Sequence, residues 1–151
     1  MNIYDQLGSV FSAALSQVVM TSTGVSLSVL SRENDGHFGR LLGVMNLNGK
    51  KSGMLFISAE ESDLRVLCSK MTGLPPSEVT VEDIEDALGE FVNMTAGSAK
   101  LRLSDTGFLF TLSPPFIIEG ENMSIAVKRK THVSSAVLGD GNITVSMKVM
   151  Y

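Results

Sequence analysis

A glutamate, two residues, an asparagine and, four residues further on, a glycine stand within ALGEFVNMTAGSAK, Ala87 to Lys100. On an α-helix Glu90 and Asn93 are neighbours about 60° apart on one surface, and Gly97 lies about one turn beyond Asn93. A carboxylate accepts hydrogen bonds and carries charge, whereas a primary amide both donates and accepts. The same face carries Asp86, Gly89 and Lys100, opposite an apolar stripe of Ile84, Leu88, Phe91, Thr95 and Ala99. A glycine in an exposed helix interior costs about 1 kcal/mol relative to alanine, and its missing side chain lets another backbone or side chain approach closely. One reading is a flat docking strip with two polar groups projecting from it. The other is a solvated Glu90, a tolerated Asn93 and glycines that pack against a neighbouring element, and the residues alone leave both open.

Other chemistries lack their residues. His37 and His132 are the only histidines, far apart in sequence, and Cys68 has no spaced cysteine partner, so no metal-ligand framework emerges and no metal site is expected. No glycine-rich phosphate loop, serine elbow or histidine-based triad is present. The acidic run Glu82, Asp83, Glu85 and Asp86 reads as helix-terminal electrostatics rather than Mg²⁺ ligation. Cys68, among Leu67, Ser69 and Met71, reads as a buried structural thiol.

The 151 residues fit one domain spanning the chain, 1–151, with enough length to bury a sizeable core. A hydrophobic fraction of 44% and a charged fraction of 19% argue against disorder and against a coiled coil. The formal charge of -4, from 12 basic and 16 acidic residues, gives no basis for a nucleic-acid partner. The one basic concentration, Lys128 to Lys130, reads as a solvated strand end. A lone cysteine, the absence of any Lys or Arg before Arg32 and the absence of an apolar run of about 18 residues lead us to expect a cytoplasmic protein without membrane association.

The elements that must position Glu90 and Asn93 follow from periodicity. Ile3 to Met20 has helical spacing, closed around Gly24. Val25 to Leu30 and Phe38 to Leu47 read as strands separated by a turn at Asn34, Asp35 and Gly36, and Asn48-Gly49 predicts a hairpin returning through Ser52 to Ile57. Ser58 with Glu61 predicts a capping box for a second helix to about Met71, stopped by Gly73, Pro75 and Pro76. Thr80 caps a third helix, about Val81 to Leu103, with Asp83 in its first turn. Gly107 to Leu112 is a short strand or extended loop, and Ser124 to Val127 and Ile143 to Val149 alternate as strands joined through Gly139, Asp140 and Gly141. The sum is an α+β domain with a largely antiparallel sheet packed against long helices. A helix followed by a strand hairpin occurs in both halves, although the residues barely match.

The stretch DALGEFVNMTAGSAK, followed by FTLS, Pro114 and the segment Ile118, Glu119, Gly120, resembles the CheX-type chemotaxis phosphatases and their CheC and FliY relatives. LNGKKSGMLFIS is similar to that family's glycine-containing hairpin. The resemblance implies a CheX-like fold and hydrolysis of the phospho-aspartate of a CheY-like receiver domain. Glu90 and Asn93 would be the catalytic pair: Asn93 orients the attacking water and Glu90 pairs with a lysine of the receiver. Asp86, Gly89, Gly97 and Lys100 would contact that partner. No cofactor is expected on this chain, since the Mg²⁺ would belong to the receiver's acidic pocket. A non-catalytic module that recognises a receiver or another signalling protein is the alternative. The first helix has no glutamate between Ile3 and Met20, so one site per chain is implied. Ile143 to Val149, at the chain end, is easily placed as an edge or exchanged strand, which together with the resemblance implies a homodimer; an ordinary intramolecular strand is the alternative.

Overall fold

The computed structural model describes residues 2–33, 38–126, 128 and 132–151. The Asn2 side chain accepts the Tyr4 N–H (3.2 Å) and starts α1, Ile3–Thr23, which ends where Gly24 takes a φ of 77° and donates its N–H to the Met20 carbonyl. Three strands follow, β1 (Ser28–Ser31), β2 (Leu41–Asn48) and β3 (Gly53–Ala59). Helices α2 (Glu61–Thr72) and α3 (Val81–Arg102) come next, then β4 (Thr111–Leu112), β5 (Phe116–Glu119), β6 (Val133–Gly139) and β7 (Thr144–Met150). The fold is α+β, and every strand pairing is antiparallel.

The strands run β1-β6-β7-β3-β2-β4 across the sheet, and β5 also pairs with β2. This order is symmetric about the central β7–β3 pair. A helix with three strands, α1 and β1 to β3, is matched by α3 with β4/β5, β6 and β7, and each half lends its first strand to the far side of the other half. The echo between the two halves of the sequence is thus an echo of architecture.

Helices α1 and α3 pack on one another and on one face of the sheet, where Phe11, Leu15, Leu88 and Phe91 meet Leu55, Ile57 and Met147 in the main core. A Cβ at Gly43 would stand 2.6 Å from Val92 Cγ2 and 3.2 Å from Leu88 Cγ, so glycine there lets α3 lie directly on β2. The opposite sheet face carries a smaller apolar cluster of Phe38, Leu42, Val44, Phe56 and Met150. Among the described residues no helix is long and apolar enough to cross a membrane.

Several expectations change. Ser58 does not cap α2: it lies in β3, paired with Leu42 and Ser146, and its buried Oγ accepts the Gly39 N–H at 2.5 Å. Strand pairing outcompetes the local capping pattern, and Glu60 precedes α2 with no side-chain cap. The hairpin partner of β7 is β6, not Ser124 to Val127; Ser124 makes only an isolated bridge and Val127 lies outside the described residues. The turn through Asp140 stands where expected, its Oδ1 accepting the N–H groups of Asn142 (2.9 Å) and Ile143 (2.7 Å). The segment Ile143 to Val149, expected at an edge or exchanged between chains, forms β7 in mid-sheet between β6 and β3. The turn at Asn34 to Gly36, His37, and Arg129 and Lys130 of the basic run lie outside the described residues.

Candidate functional site on the third helix

The sequence folds α3 firmly before its exposed face has any role. Thr80 Oγ1 accepts the Asp83 N–H (3.1 Å) while Asp83 Oδ2 accepts the Thr80 N–H (2.9 Å), a reciprocal box that satisfies two donors at the helix start. Glu82 and Asp83 in the first turn and Lys100 and Arg102 in the last complement the helix dipole. Arg102 also donates to Gln17 Oε1 (2.5 Å), tying the end of α3 to α1. Ile84, Leu88, Phe91, Thr95 and Ala99 are buried, so the helix cannot roll.

Glu90, Asn93 and Asp86 are exposed on the outward face of α3. The helical rise separates Glu90 from Asn93 by about 4.5 Å along the axis. Glu90 and Asp86 border a hollow of about 320 Å³ between α2 and α3, beside Cys68, Met71 and Ala87. Cys68 is buried and directs its thiol to the Asp83 carbonyl at 3.5 Å. Burial, reinforced by the Asp83 charge, pushes its pKa up, which makes it an inert wall rather than a nucleophile. The contribution of α2 to this hollow left no signal in the sequence, because it arises from packing between separate helices.

Gly89 faces the other side of the strip, where a Cβ would lie 3.9 Å from Pro115 Cγ, an ordinary contact. A Cβ at Gly97 would meet no other part of the described chain within 4 Å. Packing within the described chain therefore requires glycine at neither position. Lys100 is exposed but borders a different cavity, shared with Tyr4 and Phe108. The structure thus sets Asp86, Gly89, Glu90, Asn93 and Gly97 along one strip and turns Lys100 toward a second hollow at its end. Among the described residues no three His, Cys, Asp or Glu side chains converge to hold a metal ion.

The corresponding face of α1 is covered at the position that matches Asn93, while Ser9, matching Glu90, stays exposed. Matching Ile3, Leu7 and Gly8 to Ile84, Leu88 and Gly89 puts Ser9 and Ser12 at the positions of Glu90 and Asn93. Arg32 lies over that surface and donates from Nη1 to the Gly8 carbonyl (3.1 Å) and to Ser12 Oγ (2.9 Å). Ser12 is only 1% exposed, whereas Asn93 is exposed.

A family model described as chemotaxis phosphatase CheX matches residues 41–137, more than half of the chain and all of α3. This chain belongs to the CheX family. The CheY-P phosphatase CheX of Thermotoga maritima is 30% identical over 86 residues, 56% of this chain and 55% of that protein, so the chain matches about half the length of that relative. A CheC-like superfamily protein from a Shewanella species is similar in structure, with a TM-score of 0.85 at 27% identity, covering 99% of this chain and 98% of that one. A Borrelia burgdorferi CheX, solved as a CheX–CheY–BeF3–Mg²⁺ complex, shares the fold with a TM-score of 0.75 at 19% identity, over 94% of this chain and 95% of that one.

Proposed function

We propose that this protein, acting as one CheX-like domain, hydrolyses the phospho-aspartate of a CheY-like receiver domain. The observation that carries the proposal is the exposed pair Glu90 and Asn93, three residues apart on a rigidly seated helix of a CheX-family chain. The named activity of the Thermotoga maritima relative and the CheX–CheY complex from Borrelia burgdorferi support it.

In this reading α3 enters the receiver's phosphorylated pocket. A water donates a hydrogen bond to the Asn93 side-chain carbonyl, which holds the water oxygen in line with the bond to be broken. The water oxygen bonds to phosphorus, the phosphorus bond to the aspartyl oxygen breaks, and the receiver recovers its carboxylate as inorganic phosphate leaves. Mg²⁺ in the receiver's own acidic pocket balances phosphoryl charge. Glu90 pairs with a receiver lysine and keeps α3 in register, while Asp86, Gly89, Gly97 and Lys100 lie along the docking face. The decisive experiment follows phosphate loss from the cognate phosphoreceiver with Mg²⁺ at increasing amounts of the folded protein. Acceleration over the receiver's own decay is expected; an unchanged decay across all receivers of the source organism, with binding retained, would leave only a recognition module.

The proposal includes a homodimer. With β7 in mid-sheet, this reading seats the second copy at a sheet edge, β1 with exposed Val29 and Leu30 or β5 with exposed Phe116 and Ile118.

A further inference from the structure

Past the C-terminal end of α3 the chain forms a cavity of about 570 Å³ with aromatic walls, Tyr4, Phe108 and Phe110, and basic residues at Lys50, Lys51 and Lys100. Local sequence builds it. Gly107, at a φ of 78°, ends the short turn after α3 and swings the chain back toward the β2–β3 hairpin. Gly49 lets the hairpin turn lie against that returning segment, because a Cβ there would stand 2.6 Å from the Leu109 carbonyl oxygen. Phe108 stands edge-on to Tyr4, with ring centres 5.7 Å apart at 88°, and at 66° to Phe110; Tyr4 itself stacks on His132 at 4.3 Å and Phe110 is buried in the core, so Phe108, half-buried, is the aromatic wall most open to a ligand. Lys51 Nζ sits 4.7 Å from the centre of the Tyr4 ring, which places positive charge over an aromatic wall.

The charge of this cavity runs against that of the molecule. The chain carries a net charge of -4, yet none of the described residues lining the cavity is acidic and three are lysines. Ammonium groups on flexible stems meet phosphate or carboxylate as point charges. The volume falls within the roughly 300–1,000 Å³ of small-molecule sites, which combine apolar walls with a few convergent polar groups. Leu109, 70% exposed, gives the opening an apolar lip that a flat ligand would cover.

We propose that this cavity is a binding site for a small organic anion built on a flat ring. The ring lies against Phe108 and the exposed Leu109, and the anionic group meets Lys50 and Lys100. Lys100 closes the docking face and is seven residues from Asn93, about 10 Å along α3, so the ligand sits at that end of the strip, away from Glu90 and Asn93. The site does not depend on the phosphatase reading.

The test is a titration of the full chain followed by amide NMR, with four probes: AMP, adenosine, inorganic phosphate and naphthalene-1-sulfonate. AMP or the sulfonate should saturate, with shifts confined to the neighbourhood of Gly49, Lys51, Gly107 and Leu109. Adenosine, which lacks the anion, and phosphate, which lacks the ring, should bind at least tenfold more weakly. Saturation by AMP alone identifies the anion as phosphate, and saturation by both admits other anions; either result supports the site. Lys50→Glu, a change in an exposed turn, should weaken the tighter probe at least tenfold while the rest of the spectrum stays folded. Phosphate binding as tightly as AMP would mean an adventitious ion only. That result, shifts scattered over the surface, no saturation by any probe, or indifference to Lys50→Glu would each overturn the proposal.

Discussion

At the scale of single residues, Asn93 and Glu90 separate by what each substitution should remove. Asn93→Ala is expected to lower turnover about a hundredfold, equivalent to roughly 3 kcal/mol for one positioned transition-state hydrogen bond, while receiver binding largely survives. Glu90→Ala is expected to weaken both docking and turnover, since the proposed mechanism pairs it with a lysine of the receiver. Single-turnover rates at saturating phosphoreceiver, beside binding measured separately, distinguish the two; near-normal turnover in Asn93→Ala would remove Asn93 from the chemistry. Two buried hydroxyls carry a different expectation. Thr95 Oγ1 and Tyr151 Oη are buried without a hydrogen-bond partner among the described residues. Thr95→Val should therefore raise stability by about 1 kcal/mol, read from urea denaturation, because it removes an unsatisfied group and keeps the shape. Burial, with Tyr4 adding to it, raises the pKa of Tyr151 above the ordinary phenol value. A raised folded-state pKa gives stability that is present below the unfolded pKa, about 10, and lost as pH rises beyond it. Tyr151→Phe should flatten the alkaline decline in the denaturation midpoint; an identical decline in both proteins would locate the titrating group elsewhere.

At the scale of elements, the glycines separate into those the fold needs and those it does not. Gly43→Ala drives a Cβ into Val92 and Leu88 and should cost about 1–3 kcal/mol. Gly97→Ala meets nothing and should raise the stability of the free chain by up to about 1 kcal/mol. If Gly97 serves the receiver, the same change weakens docking; unaltered affinity would show that the helix face tolerates a side chain there. The helices were the most legible elements, since Gly24, Gly73 and Thr80 mark their ends by local chemistry that the structure retains. The exposure of Glu90 and Asn93 likewise follows from helical period. β6 was not legible: VSSAVLG holds polar and apolar residues without clean alternation, and its strand state comes from β1 and β7, distant in sequence. Ser58 misled for the complementary reason, because a valid capping pattern sat inside a strand that continued to Ala59. The hollow beside Glu90 and the lysine-rimmed cavity join residues from separate elements, and no spacing rule along the chain announces them.

At the scale of the whole molecule, the homodimer is expected to appear in light scattering as about twice the 16.2 kDa chain mass, and a value at the single-chain mass would remove it. The symmetric strand order has a further consequence. β1 pairs with β6, β3 with β7, and β2 with β4 and β5, so the sheet joins residues before α3 to residues after it along nearly its whole width. A break in the connection between Thr72 and Val81 would leave two pieces, each missing strands that only the other supplies. Expressed apart, neither should form the sheet; expressed together, they should reassemble and restore the exposed α3 face in one step. The architecture thus has the makings of a split reporter, in which the proposed phosphatase activity would read out whether two polypeptides have met.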